Sequence, residues 1–222
     1  MTGPAELPPH KTELIDLMVE AEVLTFGDFV TKSGRSTPYF INTGRYRTGD
    51  QIARLGRAYA RAILDRVGPE VDVLFGPAYK GIPLVIATSI AMAELGHEVA
   101  YCFNRKEPKD HGEGGILVGH EPVDGDRVLI VEDITTAGTA IREAVPLLRA
   151  AADVTLAGLV VSVDRGERGL DDRSALQALA DEFAMPTFAI VTVHEIMAAL
   201  DLAPEQEAAM RAYLERYGAA VW

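Results

Sequence analysis

The sequence VLIVEDITTAGTAIRE, residues 128–143, decides the fold of this 222-residue chain. Its apolar residues predict a buried strand that delivers two acids, Glu132 and Asp133, to its carboxyl end. A loop of small and hydroxyl-bearing residues follows and opens a helix: Thr135, Thr136, Ala137, Gly138, Thr139 and Ala140. Small residues let backbone N–H groups approach a phosphate, and the helix N-terminus favours its negative charge. The stretch therefore predicts a phosphate-binding loop at the end of a buried strand.

The two acids beside this loop restrict what the phosphate can belong to. Carboxylates repel phosphate, but they suit hydroxyl groups or a cationic centre. A sugar phosphate satisfies both requirements, with its phosphate in the loop and its ribose hydroxyls against Glu132 and Asp133. The alternative is an ordinary strand–turn–helix with capping threonines. The chain lacks the G-x-x-x-x-G-K-[ST] and post-strand G-x-G-x-x-G patterns, so P-loop and dinucleotide sites lose their main support.

Working outward, the same alternation of strand and helix recurs along the chain. Further apolar runs of β type lie at 71–75, 98–103, 155–163 and 187–193, and helical patterns separate them. This order predicts an α/β fold with a mostly parallel central sheet covered by helices on both faces. Ligands bind such sheets at the carboxyl ends of the strands. The segments GPAYKG, NRKEPKDHGEGG, EDITTAGT and DRGERG each follow a predicted strand, so we expect them at one edge.

We expect one domain over residues 1–222, in four parts. These are a flexible arm (1–10), an N-terminal helix and hood segment (about 11–50), a core (about 51–200) and a C-terminal helix (201–222). The prolines of MTGPAELPPH suggest the arm. Pro204 fits a first helical position, and Gly218 fits the end of that helix.

Composition narrows the class of protein. The chain carries 33 acidic and 21 basic residues, for a net charge of −12, which disfavours nucleic acid and anionic membranes as partners. No apolar run reaches the ~18 residues that span a bilayer, and the N-terminus lacks the features of a secretory signal. The single cysteine, Cys102, rules out an intrachain disulfide and fits a reducing compartment. We therefore expect a cytoplasmic protein.

Five segments resemble, in order, those of the orotate phosphoribosyltransferases, a family of type I phosphoribosyltransferases. They are KSGRSTPYFIN (32–42), FGPAYKGIPL (75–84), YCFNRKEPKDHGEGG (101–115), VLIVEDITTAGTAIRE (128–143) and SVDRGERG (162–169). The resemblance implies the type I phosphoribosyltransferase fold with a small N-terminal hood. It also implies transfer of the phosphoribosyl group of 5-phosphoribosyl 1-diphosphate (PRPP) to orotate in UMP synthesis. Mg²⁺ would be the cofactor, brought by PRPP near Glu132 and Asp133 rather than held in a protein cage.

The polar stretch 104–115 predicts a mobile lid over the leaving pyrophosphate. Its glycines raise backbone freedom, and Arg105, Lys106, Lys109 and His111 supply positive or proton-donating groups. A solvated hairpin with incidental charge is the alternative. The resemblance implies that the lid closes over the neighbouring subunit of a homodimer. Lys109 and His111 would then act in trans, and together with Glu132 and Asp133 they form the expected catalytic set.

The resemblance assigns further groups to PRPP. Tyr79 and Lys80 would lie in the loop that receives pyrophosphate, and a cis peptide bond is expected between Ala78 and Tyr79. Lys32 would reach the base or the diphosphate.

Orotate is flat and anionic, so it needs an apolar face and a partner for its carboxylate. Phe40 offers the face and Arg165 a bidentate partner; the resemblance places Thr136 and Lys32 nearby. The family often has two aromatics after the tyrosine, whereas this chain has Phe40 and Ile41. Ile41 can still pack on the base. A core role for Phe40 and a surface salt bridge for Arg165 stay open.

Two rival functions remain at this point. One is a phosphoribosyltransferase for another base, which Arg165 and Phe40 disfavour. The other is a non-catalytic regulator that senses PRPP or nucleotides. Such a regulator would typically carry a DNA-binding extension or lose the lid, and the sequence shows neither.

Overall fold

The computed structural model describes residues 7–31, 34–109, 115–169 and 172–219. The helices within these ranges are α1 (Pro9–Glu20), α2 (Gly49–Arg66), α3 (Gly81–Glu94), α4 (Thr139–Ala151), α5 (Ala175–Phe183), α6 (Val193–Ala199) and α7 (Pro204–Tyr217). The strands are β1 (Leu24–Val30), β2 (Ser36–Ile41), β3 (Val73–Gly76), β4 (Ala100–Lys109), β5 (Gly115–Gly119), β6 (Arg127–Glu132), β7 (Thr155–Asp164) and β8 (Thr187–Thr192). A short 3-10 helix covers Thr43–Arg45.

The central sheet has six strands in the order β5-β4-β3-β6-β7-β8. Strands β4, β3, β6, β7 and β8 pair in parallel, and only the edge strand β5 runs antiparallel to its neighbour. The prediction of a mostly parallel α/β sheet is therefore confirmed. Because β3, β6 and β7 are adjacent and parallel, the loops that follow them emerge side by side, as predicted.

Alternation along β6 divides the core between the two faces of the sheet. Val128 and Ile130 pack with α4 and α5 on one face, while Leu129 and Val131 pack with α1, α2, α3 and α7 on the other. All four side chains are fully buried. Burial of an apolar strand on both faces is typical of a central strand in a parallel sheet. Because β6 is buried in this way, the position of the two acids at its carboxyl end is fixed.

Strands β1 and β2, called the hood below, form a separate antiparallel sheet with an irregularity between Phe26 and Phe29. In the sequence, only TPYFIN (37–42), which overlaps β2, has the pattern of a short extended segment. Tyr39 of β2 is fully buried, whereas Phe40 beside it is 39% exposed. The strand thus turns Tyr39 to the core and Phe40 away from it, as period-two alternation requires.

Two predicted boundaries are wrong. Helix α1 begins at Pro9, so the predicted arm of residues 1–10 is too long, and His10 is buried within the helix. The stretch from 104 was predicted as a loop, but β4 continues through Lys109 because β5 pairs with it in antiparallel register. Helix α7 does begin at Pro204 and ends before Gly218, as predicted. None of the described helices is long and apolar enough to cross a membrane.

Candidate active site

The acids at the end of β6 are buried and fixed by the backbone. Glu132 and Asp133 are each only 7% exposed. The backbone carbonyl of Asp133 accepts hydrogen bonds from the backbone N–H and the hydroxyl of Ser162, at 2.9 and 2.7 Å. The Tyr59 hydroxyl donates to the Glu132 carbonyl at 2.7 Å. Neighbouring elements therefore hold the two carboxyl groups at the sheet edge.

Lys80 and Thr43 converge on the Asp133 carboxylate. Lys80 Nζ lies 2.7 Å from Asp133 Oδ2, and Thr43 Oγ1 donates to the same oxygen at 2.6 Å. Lys80 Nζ also donates to Thr43 Oγ1 at 3.0 Å. The 3-10 helix after the hood and the loop after β3 thus meet at one carboxylate oxygen.

The two acids differ in protonation. Burial raises the pKa of the Glu132 carboxyl well above its usual range, and the adjacent Asp133 carboxylate adds to the effect. Burial alone would also raise the pKa of Asp133. Hydrogen bonds from Glu132, Lys80 and Thr43 outweigh it, so the pKa of Asp133 is lowered. The pKa values of the two carboxyls are therefore shifted in opposite directions, and the Asp133 carboxylate lies beside the Lys80 cation.

The loop after Asp133 has the geometry of an anion site. Thr136, Ala137 and Thr139 are exposed, and Thr135 accepts a hydrogen bond from Gly138 N at 3.1 Å. No side chain caps α4, and no acid lies in its first turn. Gly138 has φ +71°, and a Cβ there would lie 2.8 Å from Leu179 Cδ2. Glycine is therefore required where the chain turns into the helix, and the first N–H groups of α4 remain available to a ligand.

The loop after β3 contains the expected cis peptide bond between Ala78 and Tyr79, so that prediction is confirmed. The Ala78 N–H donates to Asn104 Oδ1 on β4 at 2.9 Å. Tyr79 is 68% exposed, and Lys106 Nζ lies 5.3 Å from the centre of its ring. The side chains of Tyr79 and Lys106 therefore meet, as expected of groups that serve one ligand.

Some predicted site residues cannot be placed. Lys32 and His111 lie outside the described residues, and the side chain of Lys109 is not described either. The Lys109 backbone is the last residue of β4, paired with Gly115 of β5. Arg105 is partly buried on β4.

Two cavities divide the predicted residues. One, of about 160 Å³, includes Thr43, Lys80 and Asp133 in its lining. The other, of about 420 Å³, includes Tyr79, Arg105 and Lys106. The two cavities share no lining residue, although Tyr79 and Lys80 are adjacent in the chain. The first turn of α3 contributes to both, with Ile82 in the lining of the larger cavity and Pro83 and Leu84 in that of the smaller.

In the hood, the exposed ring of Phe40 lies beside a second aromatic ring, that of the partly buried Phe29. The ring centres of Phe29 and Phe40 are 5.6 Å apart. Ile41 packs instead against the buried cluster that includes Tyr39, on the face of β2 opposite Phe40. The side chain of Ile41 therefore does not share the face of β2 that carries Phe40. Phe29, on a strand that the sequence did not predict, places a second aromatic ring beside Phe40.

Arg165 lies just after β7 and belongs to a buried polar network, so it is not a surface salt-bridge residue. Its side chain is 15% exposed, and its Nη2 lies 2.6 Å from Glu167 Oε1. Arg165 Nε donates to the Tyr39 hydroxyl at 3.3 Å, and its guanidinium lies 5.2 Å from the centre of the Tyr39 ring. Tyr39 and Tyr213 both donate to Glu167 Oε1, at 3.2 and 2.9 Å. Of this group, the sequence had indicated Arg165 alone.

The described part of the chain holds no group of three or more His, Cys, Asp and Glu side chains that could form a metal site. Glu132 and Asp133 are adjacent at the end of β6, and the Asp133 carboxylate contacts the Lys80 ammonium. These side chains fit a metal ion that receives most of its oxygen ligands from a bound substrate.

Comparison with known proteins gives consistent matches. The model of the phosphoribosyl transferase domain family matches residues 42–192. The orotate phosphoribosyltransferase of Clostridium beijerinckii is 57% identical over 189 residues, covering 85% of this chain and 84% of that protein. That of Lachnoclostridium phytofermentans is 51% identical over 219 residues, covering 94% and 97%. The crystal structure of orotate phosphoribosyltransferase from Francisella tularensis superposes with a TM-score of 0.83 at 36% identity, covering 92% and 98%.

Proposed function

Because this chain belongs to the orotate phosphoribosyltransferase family, we propose that it transfers the 5-phosphoribosyl group of PRPP to orotate. The products are orotidine 5′-monophosphate and pyrophosphate, on the route to UMP. The observation that carries the proposal is the direct succession of a buried acid pair, Glu132 and Asp133, and an open phosphate loop. One sugar phosphate can occupy both.

PRPP binds with its 5-phosphate on the loop of residues 135–140. Backbone N–H groups at the start of α4 and the hydroxyls of Thr135, Thr136 and Thr139 donate to the phosphate oxygens. The ribose hydroxyls then face Glu132 and Asp133. Since Asp133 carries the negative charge of the pair, its carboxylate lies nearest to the cationic character that develops at the anomeric carbon.

Mg²⁺ fits this arrangement as a partner of PRPP. The ion prefers oxygen ligands and keeps several of them from substrate and water. The acid pair is placed to accept hydrogen bonds from ribose hydroxyls next to it. When bound, the ion neutralises charge on the diphosphate.

Lys80 must change partner during the reaction. In the free protein its ammonium lies against Asp133 and Thr43, where the ribose is proposed to bind. PRPP displaces the ammonium toward the diphosphate, which lies on the anomeric side of the ribose. Lys80 then stabilises the negative charge that grows on the leaving group, and Asp133 is released to face the sugar.

The remaining cations complete the site for pyrophosphate. Arg105, Lys106, Lys109 and His111 lie in the β4–β5 hairpin and its connection, and we propose that this segment closes as a lid over bound PRPP. Closure excludes water, which would otherwise hydrolyse the activated sugar. Lys32 approaches the diphosphate or the base from the hood.

Orotate binds beneath the hood. Phe29 and Phe40 offer the apolar face, and Arg165 pairs with the carboxylate; Thr136 lies on the opposite side. N1 of orotate bonds to the anomeric carbon with inversion as the bond from that carbon to the diphosphate oxygen breaks. The N1 proton leaves to solvent. The electron pair of the broken bond departs on pyrophosphate, so charge and atoms balance.

We further propose a homodimer in which the lid is shared. Two observations support it. Arg105 and Lys106 line a cavity whose lining does not include Asp133, which supports a role for the lid cations at the acid pair of a second subunit. Ile82, Ile86 and Ile90 recur every four residues on α3, and Ile90 is 56% exposed. An apolar stripe of this kind fits a subunit interface.

Mixing two inactive variants tests the shared lid. Lys109→Ala removes a lid cation, and Asp133→Asn removes the charge of the acid pair. If sites are shared, mixed dimers of the two variants contain one intact site and regain up to about half of the parent dimer's activity, because one of two sites is restored. Subunit exchange is followed by a fluorescent label on each variant. Demonstrated exchange without recovery of activity contradicts a lid that acts in trans.

We propose a cytoplasmic location, supported by the single cysteine, which is buried and free. The base specificity is tested with PRPP, Mg²⁺ and orotate, uracil, adenine or hypoxanthine in separate reactions, with nucleotides identified by mass. Orotidine 5′-monophosphate alone is the expected product. A nucleotide of another base would reassign the base site. Tight PRPP binding without turnover of any base would favour a regulatory protein.

A further inference from the structure

The network around Arg165 joins three parts of the chain that are distant in sequence. Tyr39 comes from the hood, Arg165 and Glu167 from the loop after β7, and Tyr213 from the C-terminal helix α7. All converge on one atom, Glu167 Oε1, which accepts from both phenols and contacts the guanidinium. The side chains of Arg165 and Glu167 are only 15% and 10% exposed. A buried network in which each member is engaged restricts the orientation of all of them.

The charge state of the network is stable. Burial raises the pKa of the Tyr39 phenol, and burial together with the Glu167 carboxylate raises the pKa of the Tyr213 phenol. Both phenols therefore stay protonated and donate hydrogen bonds at physiological pH. Glu167 Oε1 accepts hydrogen bonds from both phenols and lies against the guanidinium.

The contact with Glu167 leaves Nη2 of the Arg165 guanidinium without a hydrogen bond. Nη2 lies 2.6 Å from Glu167 Oε1 but is not aligned for a hydrogen bond, and Nε is directed to Tyr39. The guanidinium is therefore held along one edge by charge and by the Tyr39 ring, and its fork of donors retains capacity for a planar acceptor.

Backbone contacts extend this support along α7. Arg168 N donates to the Tyr217 carbonyl at 2.9 Å, and Ala219 N donates to the Gly166 carbonyl at 2.7 Å. The Tyr213 and Tyr39 rings meet edge to face with centres 5.9 Å apart. The end of α7 thus fixes both the loop that carries Arg165 and the hood strand that covers the base.

We propose that Glu167 and Tyr213 are positioning residues that aim Arg165 at the carboxylate of the base, so that α7 is part of the base site. This inference rests on the proposed function, because it takes orotate as the ligand of Arg165. Glu167 orients the guanidinium, and Tyr213 fixes Glu167. Neither residue lines the cavity that contains Lys80 and Asp133, so we expect their effect to be confined to the base.

The test compares steady-state kinetics of Tyr213→Phe and Glu167→Gln with the parent enzyme. Tyr213→Phe removes one donor to Glu167, so the KM for orotate rises about three- to tenfold. Glu167→Gln removes the charge that holds the guanidinium, so the KM rises at least about tenfold. In both variants kcat and the KM for PRPP stay within about twofold. Tyr217→Phe is the matched control, one turn further along α7 with a hydroxyl that does not contact Glu167, and leaves all three constants unchanged.

The outcomes distinguish a failure of the proposed function from a failure of the positioning role. A parent enzyme that does not consume orotate contradicts the proposed function itself. An active parent whose orotate KM is unchanged in Glu167→Gln overturns the positioning role. A lower orotate KM in that variant also overturns it, because Glu167 would then compete with orotate for Arg165. If kcat falls and both KM values rise by similar factors, together with a large fall in Tm, the positioning role is overturned in favour of a purely structural one.

Discussion

Lys80 and Asp133 form an ion pair across the centre of the site, with Nζ 2.7 Å from Oδ2 and the pair bridged by the Thr43 hydroxyl. The cation assigned to pyrophosphate is thus held, in the free protein, by the carboxylate assigned to the sugar. The two charges neutralise each other, and we propose that PRPP separates them.

Replacing Lys80 tests this exchange. Lys80→Met removes the ammonium from both the resting pair and the leaving group, so kcat/KM for PRPP falls roughly 10- to 100-fold, the range for a charge-assisted hydrogen bond. Lys11→Met is the matched control, because Lys11 pairs at 2.6 Å with Glu195, outside the site. Both variants are compared in initial-rate assays over a range of PRPP concentrations. Equal kinetics for Lys80→Met and the parent would contradict the assignment.

The protonation of Glu132 makes the stability of the ligand-free protein depend on pH. Burial raises the pKa of Glu132, so folding favours the protonated side chain. The contribution of Glu132 to the free energy of unfolding is complete below the ordinary carboxyl pKa of ~4.3 and is lost as pH rises through the folded-state pKa. The loss is on the order of 1 kcal/mol per pH unit between these limits. Glu132→Gln removes the ionisation and keeps an acceptor for Asp133 N.

Thermal unfolding without PRPP measures this effect. The Tm of Glu132→Gln should approach that of the parent near pH 5 and exceed it by a few degrees near pH 8. A difference that does not change with pH would show that Glu132 carries no proton in the free protein. The same variant should lose activity at every pH, since the Glu132 side chain faces the ribose in the proposed site.

Gly138 tests the phosphate loop. Gly138→Ala forces a Cβ to within 2.8 Å of Leu179 Cδ2 at φ +71°, so we expect a KM for PRPP raised about tenfold and a lower Tm. Gly125→Ala is the control for positive φ alone, because Gly125 has φ +95° and a Cβ added there would meet nothing within 4 Å. A loss of stability in Gly138→Ala no larger than in Gly125→Ala, with normal PRPP binding, would contradict the role of the loop.

The aromatic pair of the hood is tested separately. Phe29→Leu and Phe40→Leu each keep an apolar side chain but remove a ring, so the KM for orotate rises about three- to tenfold, in line with the energy of aromatic stacking. Val30→Ala serves as the control, since Val30 lies next to Phe29 and is 72% exposed. Binding of orotate is measured by competition in the presence of PRPP. If Phe40→Leu weakens orotate binding and Phe29→Leu does not, only Phe40 stacks on the base.

The central sheet could be predicted because each of its five parallel strands begins with or consists of an apolar run, which the burial of both faces demands. Strand β1 was missed because Gly27 and two exposed residues, Asp28 and Val30, interrupt its pattern. The extension of β4 was missed because NRKEPK is polar, and only its pairing with β5 makes it a strand. Hairpin pairing of this kind is set by tertiary context rather than by local pattern.

The site was predictable where chemistry follows a strand directly, as at Glu132, Asp133 and Lys80. It was not predictable where partners come from distant parts of the chain. Thr43 meets Asp133 across 90 residues, and Tyr213 meets Glu167 across 46. A threonine after the hood or a tyrosine in a terminal helix carries no local signal, because its role depends on which carboxylate the fold brings to it.

The reaction itself gives the most direct test of the central claim. Purified protein is mixed with orotate and PRPP, with and without Mg²⁺, while orotate absorbance and pyrophosphate release are followed together. We predict loss of orotate that requires Mg²⁺, with one pyrophosphate and one orotidine 5′-monophosphate formed for each orotate consumed. Unchanged orotate absorbance, from folded protein that still binds PRPP, would contradict the claim.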